Sequence, residues 1–175
     1  LKNGRNGPVP SPYASRLAKT LTPYVPGEQP AARRLIKLNT NENPYPPAPA
    51  VLEAIAAAAG DLRLYPDPGC AALREAIARR HGCGLTGQNV FVGNGSDEVL
   101  AFSFLAFFDP GSPIVFPDIT YSFYPVFAKL FSIPYRTVPL NPDFTLDVHG
   151  MSSPSGGVVF ANPNAPTAIE LPLPQ

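Results

Sequence analysis

A glycine-bracketed turn in the middle of the chain constrains the fold more than any other stretch. Residues 90–92 form an apolar run, Gly93-Asn94-Gly95 follows, and Ser96 opens a long apolar segment. This order predicts a buried strand, a tight turn and the first turn of a helix. A helix N-terminus has unpaired N–H groups and a partial positive charge, so it can bind an anion such as phosphate.

Two interpretations of this turn stay open from its residues alone. Gly93 and Gly95 lack a Cβ and would let a phosphate approach the backbone closely. Alternatively, Ser96 or Asp97 only caps the helix. The Asp97 carboxylate would repel a phosphate unless it points away from it. The motif matches neither the P-loop nor the Rossmann fingerprint.

Charge and composition argue against several classes of protein. Thirteen basic and 13 acidic side chains balance, and no Lys/Arg run occurs, which disfavours nucleic-acid binding. No stretch of about 18 apolar residues occurs, so we predict no membrane span and a cytoplasmic protein. Cys70 and Cys83 lie in no zinc-binding spacing, which predicts free thiols and no metal site.

The ends of the sequence indicate a portion of a longer protein. The chain begins at Leu1 without a methionine and stops at Gln175 in an apolar, proline-rich run. Prolines recur through residues 1–30, so only residues 13–21 can form a short helix there. We expect this segment to be an arm that docks on the rest of the chain or on a partner subunit.

Helices and apolar strands alternate after this arm. We predict helices over residues 49–59, 70–80, 96–108 and 121–131, and strands over residues 34–38, 90–92, 113–117, 134–140 and 156–161. The strands are continuous apolar runs, which is typical of a parallel sheet covered by helices on both faces. The predicted fold class is therefore α/β with three α/β/α layers. The apolar helix over 96–108 should be covered on most sides, Leu52 and Ile55 should share one face of their helix, and Leu73 should face inward.

The turns that follow three predicted strands carry polar side chains. They are residues 95–97, 118–121 and 162–167. Ligands of parallel α/β sheets bind beyond the carboxyl ends of the strands, so these turns should open on one edge and can form one site. A further loop holds Asn39, Asn41 and Asn43, which are either turn formers or ligand contacts.

Five segments, in order, resemble fold-type-I pyridoxal-phosphate-dependent aminotransferases, and most closely the N-terminal half of histidinol-phosphate aminotransferases. They are residues 38–44, 64–68, 93–98, 117–121 and 162–167. The resemblance implies an arm and the start of a small domain over residues 1–47. It implies the N-terminal half of the large, cofactor-binding domain over residues 48–175, incomplete in this chain. It also implies a homodimer.

The resemblance assigns roles to residues of these segments. The backbone around Gly95, Ser96 and Asp97 would hold the phosphate of pyridoxal 5′-phosphate. Tyr121 would stack on the pyridine ring of that cofactor. Tyr65 would reach across the dimer interface to the phosphate bound by the neighbouring subunit.

The last segment departs from the family's Asn-Pro-Thr-Gly element, whose asparagine bonds the phenolic oxygen of the cofactor. Ala165 stands in the asparagine position and Ala168 in the glycine position. The role therefore stays open to Asn164 or Asn162, and a cis peptide bond before a proline fits this turn. Asn43 would line the substrate pocket.

The reaction implied is amino-group transfer between histidinol phosphate and 2-oxoglutarate in histidine biosynthesis, with the cofactor as electron sink. It requires a Schiff-base lysine, which the family places in a Ser-Lys segment further along. None of Lys2, Lys19, Lys37 and Lys129 follows a serine. No catalytic residue is therefore assigned, and we expect these residues alone to be inactive.

Two alternatives stay open. Other class I aminotransferases and threonine-phosphate decarboxylases share most of the five segments. The non-enzyme alternative is a truncated binding or interaction module, because open sheet edges and the apolar helix near residues 102–108 favour pairing with another chain.

Overall fold

The computed structural model describes residues 11–21, 36–39, 42–153 and 155–172. The helices are α1 (Arg16–Thr20), α2 (Pro49–Ala58), α3 (Ala71–His81), α4 (Gly95–Phe107), α5 (Tyr124–Leu130) and α6 (Val148–Met151). The strands are β1 (Ile114–Pro117), β2 (Tyr135–Val138) and β3 (Gly157–Val158). Two units form: residues 1–22 with 93–175, and residues 23–92.

The first of these units is built on a parallel sheet with the strand order β2-β1-β3. Ile114 pairs with Tyr135 on one side and with Gly157 on the other. All four residues of β1 are buried, as the continuous apolar run predicts for a central strand. The predicted parallel sheet is confirmed.

Helices cover both faces of this sheet. Alternate residues of a strand point to opposite faces, so Ile114 and Phe116 face one side and Val115 faces the other. The first side packs against α4 and α5 in a cluster formed by Phe104, Ile114, Phe116, Tyr124, Phe127, Ala128 and Ile133. On the second side, Val115 packs with Val138 of β2 and Met151 of α6. The predicted α/β/α layering is therefore confirmed.

The unit of residues 23–92 contains α2 and α3. Pro49 begins α2, as expected for a residue that lacks an N–H, and α3 ends at Gly82 with φ +70°. The Asp67 carboxylate caps the start of α3 by accepting from the N–H groups of Gly69 and Ala71, at 2.9 and 2.8 Å. These bonds lower the pKa of Asp67 below its ordinary value.

Several predicted faces and strands differ in the structure. Leu73 is exposed rather than inward-facing, because within its unit α3 packs mainly on the 3₁₀ turn Gly87–Asn89. Leu52 and Ile55 of α2 are exposed as well. The predicted strand over residues 34–38 lies partly outside the described residues, and residues 36–39 form no strand.

Residues 90–92 do not form the predicted strand either. Val90 is extended, at φ −114° and ψ 125°, but the described sheet consists of β1, β2 and β3 alone. A strand exists only where a neighbour completes its hydrogen-bond ladder, and residues 90–92 pair with none of the three described strands. Phe91 is consequently exposed.

Two helices of the sheet-containing unit also differ from prediction. α5 begins at Tyr124 rather than at residue 121, because Pro125 lacks the N–H that would bond the Tyr121 carbonyl. α4 buries Phe104 but leaves Leu105 60% and Phe107 77% exposed, so it is covered on one side only. No helix among the described residues is long and apolar enough to span a membrane.

Candidate functional site

The first turn of α4 presents backbone N–H groups beside an open space. Gly95 has φ +79°, a conformation that favours glycine, and a Cβ built there meets no atom within 4 Å. The N-cap is Asn94, whose side chain makes no capping bond, so neither Ser96 nor Asp97 occupies that position. The Gly95 N–H donates to the Gly93 carbonyl at 3.0 Å, whereas the N–H groups of Ser96 and Asp97 have no carbonyl partner within the helix and are available to an anion.

Tyr121 connects the turn after β1 to this helix start. Its hydroxyl donates a hydrogen bond to Asp97 Oδ1. Its half-buried ring stacks on Phe123 at 5.7 Å between centroids and 19° between planes, and it meets Tyr124 edge-on at 5.8 Å. These contacts fix the ring in one orientation. Burial raises the pKa of Tyr124, which therefore stays a neutral neighbour.

Asn164 connects the turn after β3 to the same place. It is 1% exposed, and it is the buried polar side chain among the described residues. Its Oδ1 accepts from Thr120 Oγ1 at 2.9 Å, and its Nδ2 donates to the Ile119 carbonyl at 3.0 Å and to Thr167 Oγ1 at 3.2 Å. One amide therefore joins the turn at residues 118–121 to the turn at residues 162–167.

Asn162 has different surroundings. It is exposed, and its amide pairs with the backbone of Leu171, donating to the carbonyl at 3.1 Å and accepting from the N–H at 2.9 Å. The peptide bonds Asn162–Pro163 and Ala165–Pro166 are both cis. The two candidate asparagines thus serve different contacts: Asn164 joins two turns, and Asn162 holds the chain that leaves the second turn.

Sequence reasoning did not single out Thr120, Thr167 or Asp118. The Asp118 carboxylate accepts from its neighbour Ile119 N–H and from Leu140 N–H, at 2.9 and 3.0 Å, which ties the end of β1 to the end of β2. Their position in the sequence could have pointed to them, because each of these polar residues lies in a turn already predicted to follow a strand. The sequence contains no pattern that identifies the hydrogen-bond partner of each side chain.

Tyr65 and Asn43 belong to the unit of residues 23–92. Tyr65 is fully exposed. The Asn43 side chain accepts from Tyr45 N–H at 3.0 Å, which is the geometry of a turn former. Their roles toward a ligand stay predictions.

The sheet-containing unit therefore brings Asp97, Tyr121 and Asn164 to one edge. Backbone N–H groups there suit a phosphate, and the Tyr121 ring suits an aromatic ligand. Among the described residues, no group of three His, Cys, Asp or Glu side chains is arranged to hold a metal ion.

The sequence matches a profile described as aminotransferase class I and II over residues 33–175. Histidinol-phosphate aminotransferase of Clostridium botulinum strain 657 is 55% identical over 164 residues, covering 93% of this chain and 46% of that protein. Histidinol-phosphate aminotransferase 1 of Methylococcus capsulatus is 58% identical, covering 93% and 45%. The chain thus spans less than half the length of these curated relatives.

Solved structures share the fold. Histidinol-phosphate aminotransferase from Sinorhizobium meliloti, in complex with pyridoxal-5′-phosphate, has a TM-score of 0.65 and 31% identity, covering 73% of this chain and 35% of that one. A structure from Erwinia carotovora atroseptica has a TM-score of 0.68 at 24% identity, covering 77% and 40%, and shows likeness of fold alone.

Proposed function

Since this chain belongs to the class I and II aminotransferase family, we propose that its protein transfers an amino group between histidinol phosphate and 2-oxoglutarate, using pyridoxal 5′-phosphate. The observation that carries the proposal is the meeting of Asp97, Tyr121 and Asn164 from three separate turns. The names of the curated relatives support histidinol phosphate as the substrate. The Sinorhizobium meliloti complex supports pyridoxal 5′-phosphate as the cofactor.

The residues at the sheet edge fit this cofactor. The open space at Gly95 leaves room for a phosphate against the N–H groups of Ser96 and Asp97. The Tyr121 ring, already fixed by its neighbours, provides an aromatic face for a pyridine ring. When bound, the cofactor supplies the electron sink for the exchange.

Either asparagine can donate a hydrogen bond to the phenolic oxygen of the cofactor, but the two differ in the bonds that they would have to release. An amide nitrogen has two hydrogens to donate. Asn164 already donates to Ile119 and to Thr167, so it would have to release one of these bonds. Asn162 donates to the Leu171 carbonyl among its described contacts. We keep both as candidates.

Further parts of the proposal concern the whole protein. We propose a cytoplasmic homodimer in which Tyr65 reaches the phosphate bound by the neighbouring subunit and Asn43 lines the substrate pocket. We propose that residues 1–47 form the arm and the start of the small domain, and that residues 48–175 form the N-terminal half of the large domain. We also propose that these residues do not catalyse by themselves, because none of the four lysines follows a serine.

The exposed flank of α4 supports the alternative of an interaction module. Phe102 and Leu105, three residues apart on one side of the helix, present an apolar surface that another polypeptide can cover. Such a module would bind its partner without converting an amino donor, so a turnover assay separates the two functions.

The test measures glutamate formation from 2-oxoglutarate by the intact protein with pyridoxal 5′-phosphate. Histidinol phosphate is compared with threonine phosphate and with aromatic amino acids as donors. We expect histidinol phosphate to give the highest kcat/KM. A preference for another donor would contradict the substrate, and no turnover with any donor would favour the interaction module.

A further inference from the structure

Asp97 poses an electrostatic problem for a phosphate site. Its carboxylate belongs to the first turn of α4, a helix of 13 residues, where negative charge is favoured by the helix dipole and by the free N–H groups. An exposed carboxylate there would compete with a phosphate for the same N–H groups and would repel it.

The turn after β1 offers a solution to this problem. Tyr121 donates its hydroxyl hydrogen to Asp97 Oδ1, and this is the partner of that carboxylate among the described contacts. The position of this hydroxyl is restrained, because the ring stacks on Phe123 and meets Tyr124 edge-on. The preceding residue, Thr120, is itself bonded to the buried Asn164. The flexible partner in this bond is therefore the exposed Asp97 side chain.

We propose that Tyr121 is a positioning residue for the phosphate subsite: its hydroxyl holds the Asp97 carboxylate in the neighbouring turn and keeps the first-turn N–H groups of α4 available to a phosphate ester. The inference rests on the proposed function, since it concerns the same subsite. It assigns the hydroxyl of Tyr121 a task separate from the stacking of its ring.

The substitution Tyr121→Phe tests this separation, because it keeps the aromatic face and removes the hydroxyl. Binding to the intact protein is measured by calorimetry with pyridoxamine 5′-phosphate, which has no aldehyde to react with surface lysines. We expect the affinity to fall about three- to thirtyfold at low salt, and the loss to shrink as salt rises. Pyridoxamine, which lacks the phosphate, should show no such loss.

A second substitution removes the charge instead of the restraint. Asp97→Asn keeps an oxygen that can accept from Tyr121 and should bind pyridoxamine 5′-phosphate at least as tightly as the unchanged protein. Combining it with Tyr121→Phe should restore most of the lost affinity. Tyr135→Phe is the matched control, because Tyr135 begins β2 at the opposite, amino end of the sheet.

The outcomes separate the two proposals. If the unchanged protein fails to bind pyridoxamine 5′-phosphate, the proposed function fails. If it binds, but Tyr121→Phe behaves like Tyr135→Phe, or Asp97→Asn restores nothing in the double variant, the positioning role is overturned alone. Thermal melting of each variant verifies that it is folded, and the Asp97→Asn measurement stands without any change to the tyrosine.

Discussion

Replacing Asn164 by alanine should loosen the candidate site more than any other single truncation at the sheet edge. The amide is 1% exposed and makes three hydrogen bonds, of 2.9, 3.0 and 3.2 Å, that join two turns. Asn164→Ala removes all three bonds and leaves the hydroxyls of Thr120 and Thr167 without this partner.

The size of the effect follows from these contacts. A buried polar group left without a partner costs about 1–3 kcal/mol. Thr120 and Thr167 are only partly buried and Ile119 is exposed, so water will replace some of the lost bonds. We therefore expect a loss of about 2–4 kcal/mol in the free energy of unfolding. For a chain of this length that corresponds to a fall in Tm of roughly 5–15 °C.

The assay is thermal and urea unfolding followed by circular dichroism. Asn162→Ala is the matched control, because it removes the same group two residues away from an exposed position. Its two bonds to Leu171 compete with water, so its loss should stay below about 1 kcal/mol. Equal losses for the two variants, or an Asn164→Ala loss below about 0.5 kcal/mol, would refute the reasoning that burial gives Asn164 its importance.

Three further predictions concern single side chains. The N–H groups of Ala71 and Gly69 lower the pKa of Asp67 from 3.8, so the carboxylate stabilises the fold above that pH and this contribution is lost as the pH falls. In Asp67→Asn, the Tm should therefore depend less on pH between about pH 2 and 6. Burial raises the pKa of Tyr124 above 10.0, so the tyrosine of the unfolded chain ionises first and stability should fall as the pH passes 10. In Tyr124→Phe, the Tm should therefore depend less on pH between about pH 8 and 11. Gly95→Ala should cost about 1–2 kcal/mol in urea unfolding because φ is +79°, whereas Gly111→Ala, which has equal space and no positive φ, should be near neutral.

The sequence predicts the central layer of this fold well. β1 is buried on both faces, so every position is apolar and the run is recognisable without any knowledge of its partners. Parallel strands place their carboxyl ends at one edge, and for that reason the turns carrying Tyr121 and Asn164 could be expected to meet. α6 has no such signal, since its four residues include Gly150 and depend on the Asp147 cap.

Other features depend on partners that the sequence does not specify. Residues 90–92 are apolar but pair with none of the described strands, and the sequence does not state which strand lies beside such a run. The bond between Thr120 and Asn164 joins residues 44 positions apart, so no local pattern reveals it. The exposure of Leu105 likewise depends on which elements pack around α4, because an apolar side chain has the same sequence signal whether or not a neighbour covers it.

The exposed flank of α4 belongs to the same helix whose first turn serves the candidate site. Phe102 and Leu105 lie along that flank, and the free N–H groups lie at the beginning of the helix. A polypeptide that settles on the flank restrains the helix axis and with it the direction of those N–H groups. If the covering polypeptide raises the affinity for a phosphorylated ligand in this way, the two binding equilibria are linked, and dilution that separates the polypeptides would also lower that affinity.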